Sequence, residues 1–174
     1  MNIYYFIEEF NREEILNLDK KIDIIFRNYK KKTNERTILD IKKKWKISKR
    51  KLYIANNYNL ALKLNLDGIY IPSFNKSLKF KYKNIRNIEI IGSAHNFKEI
   101  MIKKGQGVNK IFLSPIFKMK KNNFFFNTVK FNLISRFTEI KLIALGGINK
   151  NNIKKINMIN CCGFASKSYL KKKY

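Results

Sequence analysis

The sequence predicts a compact α/β fold, an eight-stranded parallel barrel whose last helix is short or missing. Three observations carry this: eight short apolar runs recur along the 174 residues, helix-like stretches separate them, and polar residues or glycines follow most runs. Runs of Ile, Leu and Val without strict alternation suit strands buried on both faces, and parallel strands need crossover connections to cover those faces. No fixed-period repeat and no Pro- or Ser-rich linker interrupts the pattern, so residues 1–174 read as one domain.

IYYFIE (3–8) and IDIIFR (22–27) are the first two strands, with REEILNLDKK (12–21) as a short helix between them. TILDIKKKWKI (37–47) follows as a helix, KLYIAN (51–56) as a strand and NLALKLN (59–65) as a short helix. GIYIPS (68–73), IEIIGS (88–93), KIFLSPIF (110–117), KLIAL (141–145) and CCGFAS (161–166) supply five more strands. FKEIMIKKG (97–105), TVKFNLISRF (128–137) and NNIKKINMI (151–159) are connecting helices; SLKFKYKNIRN (77–87) has room for only a turn of helix, and SYLKKKY (168–174) for a short last one. The strand count is that of a TIM (β/α)8 barrel, in fewer than the ~250 residues typical of that fold. A flavodoxin-like open sheet is the alternative. Trp45 reads as an outer packing residue, and Phe124, Phe125 and Phe126 as an exposed apolar cluster, a lid over the mouth or part of a dimer surface.

Composition narrows the function. No apolar run approaches the roughly 20 residues that span a bilayer, and MNIYYFIEEFNREE lacks the parts of a secretory signal, so we expect a cytoplasmic protein without a membrane partner. The adjacent Cys161 and Cys162 suit neither an ordinary disulfide nor a zinc knuckle and read as small buried strand residues. Thirty-eight Lys plus Arg against 12 Asp plus Glu give a formal charge of +26. That charge is spread over every segment among many Asn and Ile, as an AT-rich coding bias produces, and no helix-turn-helix, zinc-finger or RNP pattern accompanies it. Nucleic acid is therefore not the expected partner; the field instead favours small anions.

In a barrel the chemistry sits at the carboxyl ends of the strands. Those ends carry Arg27, Asn56 with Asn57, Ser73 with Asn75, Ser93 with His95, Ser114, Gly146 with Gly147, and Ser166, in a chain whose strand interiors are apolar. Gly146 and Gly147 follow the penultimate strand, where bare backbone N–H groups can approach an anion and a following helix N-terminus adds a favourable dipole. GFASKS supplies the second loop of a phosphate site.

The order of these stretches resembles the superfamily of thiamine phosphate synthase and the thiazole tautomerase TenI. IIFRNYK is similar to its second-strand arginine motif, and YIANNYNLALKLNLDGIYIP to its Asn-Asp motif leading into an Asp-Gly-Val-His strand. IIGSAHNFKEI resembles its Gly-x-Ser-x-His segment, GVNKIFLSPIF its Gly-Ala-Asp-Tyr…Gly-Pro-x-Phe strand, and LIALGGINKNNI its Ala-Ile-Gly-Gly-Ile stretch, over about residues 22–166. The resemblance implies a thiazole phosphate held by Gly146, Gly147, Ala165 and Ser166, a pyrimidine pyrophosphate held by Arg27 and Asn56, and Ser93 near the reacting centre. In the synthase, pyrophosphate leaves to magnesium and the thiazole nitrogen captures the pyrimidine cation. It also implies a homodimer, on which the residues are silent.

Several positions depart from the family. Its two metal-binding Asp positions fall on Asn57 and Asn75, neutral amides where magnesium wants carboxylates. The Thr-x-Thr-Lys loop after the sixth strand reads Lys118-Met119-Lys120-Lys121-Asn122, Arg-x-Lys has become Arg27-Asn28-Tyr29 with Lys30 one place late, and the Asp-Gly-Val-His histidine is Tyr70. The sequence thus leaves three readings open. The first is a synthase-like transferase, with magnesium and a weakened pyrophosphate half. The second is a tautomerase without cofactor, in which His95 moves a proton at cellular pH, as an imidazole can; its competing role is helix capping, for which Asn96 and Ser93 are also suited. The third is a non-catalytic barrel that binds a phospho-ligand or RNA.

Overall fold

The computed structural model describes residues 1–29, 34–45, 50–78, 88–120 and 123–170. Its elements run β1 (Asn2–Ile7), α1 (Arg12–Leu16), β2 (Ile22–Phe26), α2 (Glu35–Trp45), β3 (Leu52–Ala55), α3 (Tyr58–Lys63), β4 (Gly68–Ile71), β5 (Glu89–Ala94), α4 (Phe97–Gly105), β6 (Lys110–Leu113), α5 (Asn127–Arg136), β7 (Lys141–Leu145), a 3-10 helix (Ile153–Met158), β8 (Gly163–Ala165) and α6 (Lys167–Leu170). The strands close in sequence order, β8 pairing back onto β1 with Tyr4 opposite Ala165, and every pairing is parallel. This is the predicted barrel rather than the open sheet, and its last described helix is a single short turn.

Period-two alternation divides the core into two layers. Each strand sends one residue inward to a common layer, Tyr4, Ile25, Tyr53, Tyr70, Ile91, Phe112, Ile143 and Ala165, while their neighbours such as Tyr5, Ile24, Ile54, Ile69 and Ile111 face the outer cover. Aromatic rings fill the small lumen edge to face: Tyr4 lies 5.2 Å from Phe112, and Phe6 lies 5.3 Å from Tyr70. At the amino end of the barrel, Glu89 accepts hydrogen bonds from Tyr53 Oη (2.6 Å) and Lys51 Nζ (3.0 Å) and pairs with Lys110. Burial would raise this carboxyl, but Lys110, Tyr53 and Lys51 overcome it and hold the group down at about 2.

Some boundaries differ from expectation for identifiable reasons. The sixth strand stops at Leu113 rather than residue 117, because Pro115 has no N–H and the chain swings toward the β7 end, Ile116 N–H bonding Leu145 O at 2.9 Å. The predicted helix after β7 is a 3-10 helix of six residues, beginning six residues past Gly147, so no α-helix dipole reaches the glycines. The helix in REEILNLDKK ends at Leu16, capped by Asn17. Phe126 is buried and Phe124 exposed, the two rings 5.2 Å apart, so the phenylalanines are not one exposed cluster. Most of SLKFKYKNIRN, Lys30, Lys121, Asn122, the side chain of Trp45 and the end of SYLKKKY lie outside the described residues. Among the described residues no helix is long and apolar enough to cross a membrane.

Candidate active site

The carboxyl strand ends form one mouth. At its centre the Tyr70 hydroxyl, on β4, donates to Ser93 Oγ on β5 at 2.8 Å, a buried bond that leaves the serine its own O–H to donate. Burial raises the Tyr70 phenol, against contacts from Ser93, Arg27 and Tyr29 that pull it down. Arg27, just past β2, holds its guanidinium 4.7 Å over the Phe6 ring and 5.9 Å from that of Tyr29, with Glu8 3.6 Å away. Its side chain is 32% exposed, so one charged face remains open to the mouth. A cavity of about 540 Å³ opens beside it, bounded by Phe6, Glu8, Arg27, Tyr29 and, from the β8 loop, Lys167.

The β3 and β4 loops meet next to Arg27. Asn56 adopts a left-handed φ of 54°, its N–H bonding Tyr70 O at 3.0 Å, and its Oδ1 accepts from Asn75 Nδ2 at 2.8 Å. Asn57 caps α3, its Oδ1 accepting from Leu60 N–H at 3.0 Å, and Asn75 Oδ1 accepts from Ser77 N–H at 3.1 Å. Both candidate magnesium donors therefore already serve the backbone, and neither brings charge. Among the described residues no group of three or more His, Cys, Asp or Glu could hold a metal ion. Asn57 and Asn75 as placed do not fit magnesium, which wants a carboxylate among its hard oxygens.

His95 lies exposed at the end of β5, its Nδ1 2.8 Å from Ser114 O. A carbonyl only accepts, so in the neutral ring Nδ1 carries the proton and Nε2 is the acceptor. The capping is done by its neighbours: Asn96 Oδ1 accepts from Glu99 N–H and Glu99 Oε2 from His95 N–H, a reciprocal box. Ser93 does not cap.

Gly146 and Gly147 have φ of +89° and +73°, and a Cβ on Gly147 would come within 2.7 Å of the Phe117 carbonyl carbon. The pair is thus required by close packing of the β6 and β7 loops as well as by any anion. Ser166 Oγ donates to Ile148 O at 2.7 Å and accepts from Tyr169 N–H at 3.1 Å, tying the β7 and β8 loops together beside buried Ala165. Its hydroxyl is committed to the scaffold, leaving backbone groups as the means of meeting a phosphate there.

Sequence reasoning missed the aromatic side of the mouth and its support. Tyr29 meets Phe74 edge to face at 5.1 Å, both largely exposed, closing the gap between the β2 and β4 loops. Lys103 on α4 is fully buried, and burial pulls its ammonium down to about 8, opposed by Glu99. The available signal was its spacing: Lys103 falls three residues after Ile100, on the core face of its helix.

The closed parallel barrel and a polar mouth at its carboxyl end define the class, a TIM-barrel protein with its candidate site where that fold keeps its chemistry. The chain matches the thiamine monophosphate synthase family over residues 13–170 and belongs to it. It is 34% identical over 112 residues to the thiamine-phosphate synthase of Prochlorococcus marinus, covering 62% of this chain and 32% of that protein. To the thiamine-phosphate synthase of Clostridioides difficile it is 28% identical over 120 residues, covering 66% and 56%. The matched part thus spans about a third to about half of these relatives' length. In fold it is similar to the thiamine phosphate pyrophosphorylase of Pyrococcus furiosus, with a TM-score of 0.72 at 17% identity over 95% of this chain and 84% of that one.

Proposed function

We propose that this mouth joins a pyrimidine carried on pyrophosphate to a thiazole phosphate, producing thiamine phosphate and pyrophosphate in the cytoplasm. The observation that carries the reading is the Arg27, Tyr70 and Ser93 cluster, which sets a partly exposed cation beside a polarised hydroxyl in a chain of this family. The bond between the pyrimidine methylene carbon and the pyrophosphate oxygen breaks, its electron pair leaving on pyrophosphate. The thiazole nitrogen lone pair then forms the new C–N bond. Arg27 takes up the leaving charge with Asn56 beside it, and Ser93, held by Tyr70, donates its O–H toward the departing oxygen. The loops of Gly146, Gly147, Ala165 and Ser166 hold the thiazole phosphate through their backbone. No step passes through magnesium, since Asn57 and Asn75 do not fit it. The test is thiamine phosphate formation by the purified chain from the two substrates; absence of product at every magnesium concentration would sink the transferase.

One observation favours a second reading, a thiazole tautomerase. The His95 tautomer set by Ser114 O leaves Nε2 free to take a proton. His95→Ala should then abolish isomerisation of a thiazole carboxylate phosphate while its binding persists; undiminished turnover would remove His95 from the reaction. A second copy of the chain as partner belongs to the same proposal, and gel filtration with light scattering decides it.

A further inference from the structure

A lysine on the core side of α4 needs a reason, because a buried ammonium is costly unless its donors are met. Lys103 Nζ meets three acceptors: Pro72 O at 2.7 Å, Asn75 O at 2.6 Å and Gln106 Oε1 at 3.0 Å. Gln106 in turn donates its Nε2 to Asn75 O at 3.0 Å and Ser77 O at 2.8 Å. The carbonyls of the loop after β4 therefore turn inward, onto one cation and one amide supplied by α4 and its cap. Gly92 makes room for the stem, since a Cβ there would lie 3.1 Å from Lys103 Cδ.

The other side of the same loop faces the mouth. It bears Asn75, whose Nδ2 reaches Asn56 at 2.8 Å, and Phe74, which is 62% exposed and meets Tyr29. The tip of the loop has few apolar anchors: Phe74 and Leu78 are exposed, and the bonds that tie Asn75 and Ser77 to the rest of the barrel run to Asn56, Lys103 and Gln106. The Lys103 ammonium, together with the Gln106 amide, holds the loop from beneath.

We propose that Lys103 is a positioning residue for the mouth, a built-in cation that organises the carbonyls of the β4 loop and so sets Asn75 against Asn56 and Phe74 against Tyr29. This rests on the reading above that the Arg27 side of the mouth takes the pyrimidine pyrophosphate. Lys103 touches no ligand and acts through the loop, so its effect falls on one half of the mouth and spares the glycine loops.

Lys103→Met keeps the stem and removes the charge. Hydrogen exchange should report roughly tenfold faster exchange of the Asn75 and Ser77 amides, the change expected from losing a charge-assisted hydrogen bond. Calorimetry should give a roughly tenfold weaker pyrimidine pyrophosphate complex and an unchanged thiazole phosphate complex. Equal weakening of both ligands would mark general damage and overturn the proposal, as would unchanged exchange and affinity. Should the variant fail to fold, nuclear magnetic resonance of the unaltered chain reads the same contact: slowly exchanging Lys103 Nζ protons at neutral pH are expected, and rapid exchange overturns it. If the unaltered chain binds neither ligand, the functional reading fails, while the exchange comparison still decides the role of Lys103.

Discussion

Glu89 gives a prediction that separates the two ends of the barrel. Its side chain is 18% exposed at the amino end, and its carboxyl is held at about 2 against an ordinary 4.5. A difference of about 2.5 units, at about 1.4 kcal/mol each, corresponds to about 3.5 kcal/mol of stability. The folded value is depressed, so the folded state binds fewer protons between these values. The contribution is therefore complete above about 4.5 and is lost as pH falls toward about 2. Glu89→Gln should cost about 3.5 kcal/mol at pH 7 by the same conversion, since Lys110, only 15% exposed, then lacks its counter-charge. Urea unfolding of both chains, followed by circular dichroism between pH 7 and pH 3, measures this. The gap between the chains should shrink as the acid limb is entered, and affinity for thiazole phosphate should not change, because the mouth lies at the opposite end. A gap under about 1 kcal/mol at pH 7, or one that persists undiminished in acid, would refute the assignment of Glu89 as an ion-paired scaffold group.

Two further substitutions address the mouth. Gly147→Ala adds a Cβ at φ +73° against Phe117, so it should cost at least the ~1–2 kcal/mol of the left-handed conformation and weaken thiazole phosphate binding, read by chemical denaturation and calorimetry on one preparation. Arg27→Met keeps an apolar contact with Phe6 but removes the charge; pyrimidine pyrophosphate should bind roughly 10- to 100-fold more weakly while thiazole phosphate is unaffected, as titration of each ligand alone would register.

The barrel was legible in the sequence because strands buried on both faces leave continuous apolar runs, and the strand ends were legible because polar residues stand out against them. The helix at 97–105 was placed to the residue, with Asn96 a candidate cap; Glu99, which completes a capping box with it, was not read from the sequence. The six-residue 3-10 helix after β7 was harder: NNIKKINMI has helical spacing, yet the chain winds in tighter turns around buried Ile156. At the site, Arg27, Asn56, Ser93 and His95 could be named from strand ends alone, whereas their partners could not. Tyr70 looks like lumen filling and is also the hydrogen-bond donor to Ser93. Lys103 is one lysine among many in a chain of charge +26, and composition hides the single one that is buried among the described residues. The glycines were read for an anion, and their steric need appears only when the β6 loop is seen against them.

Product analysis decides whether the mouth joins the two ligands. The most direct measurement offers the purified chain labelled pyrimidine pyrophosphate, thiazole phosphate and a thiazole carboxylate phosphate together, and separates the products by chromatography. Thiamine phosphate and pyrophosphate are expected in equal amounts, lost in Arg27→Met. Isomerised thiazole carboxylate without any thiamine phosphate, or binding of both substrates with no reaction, would contradict it.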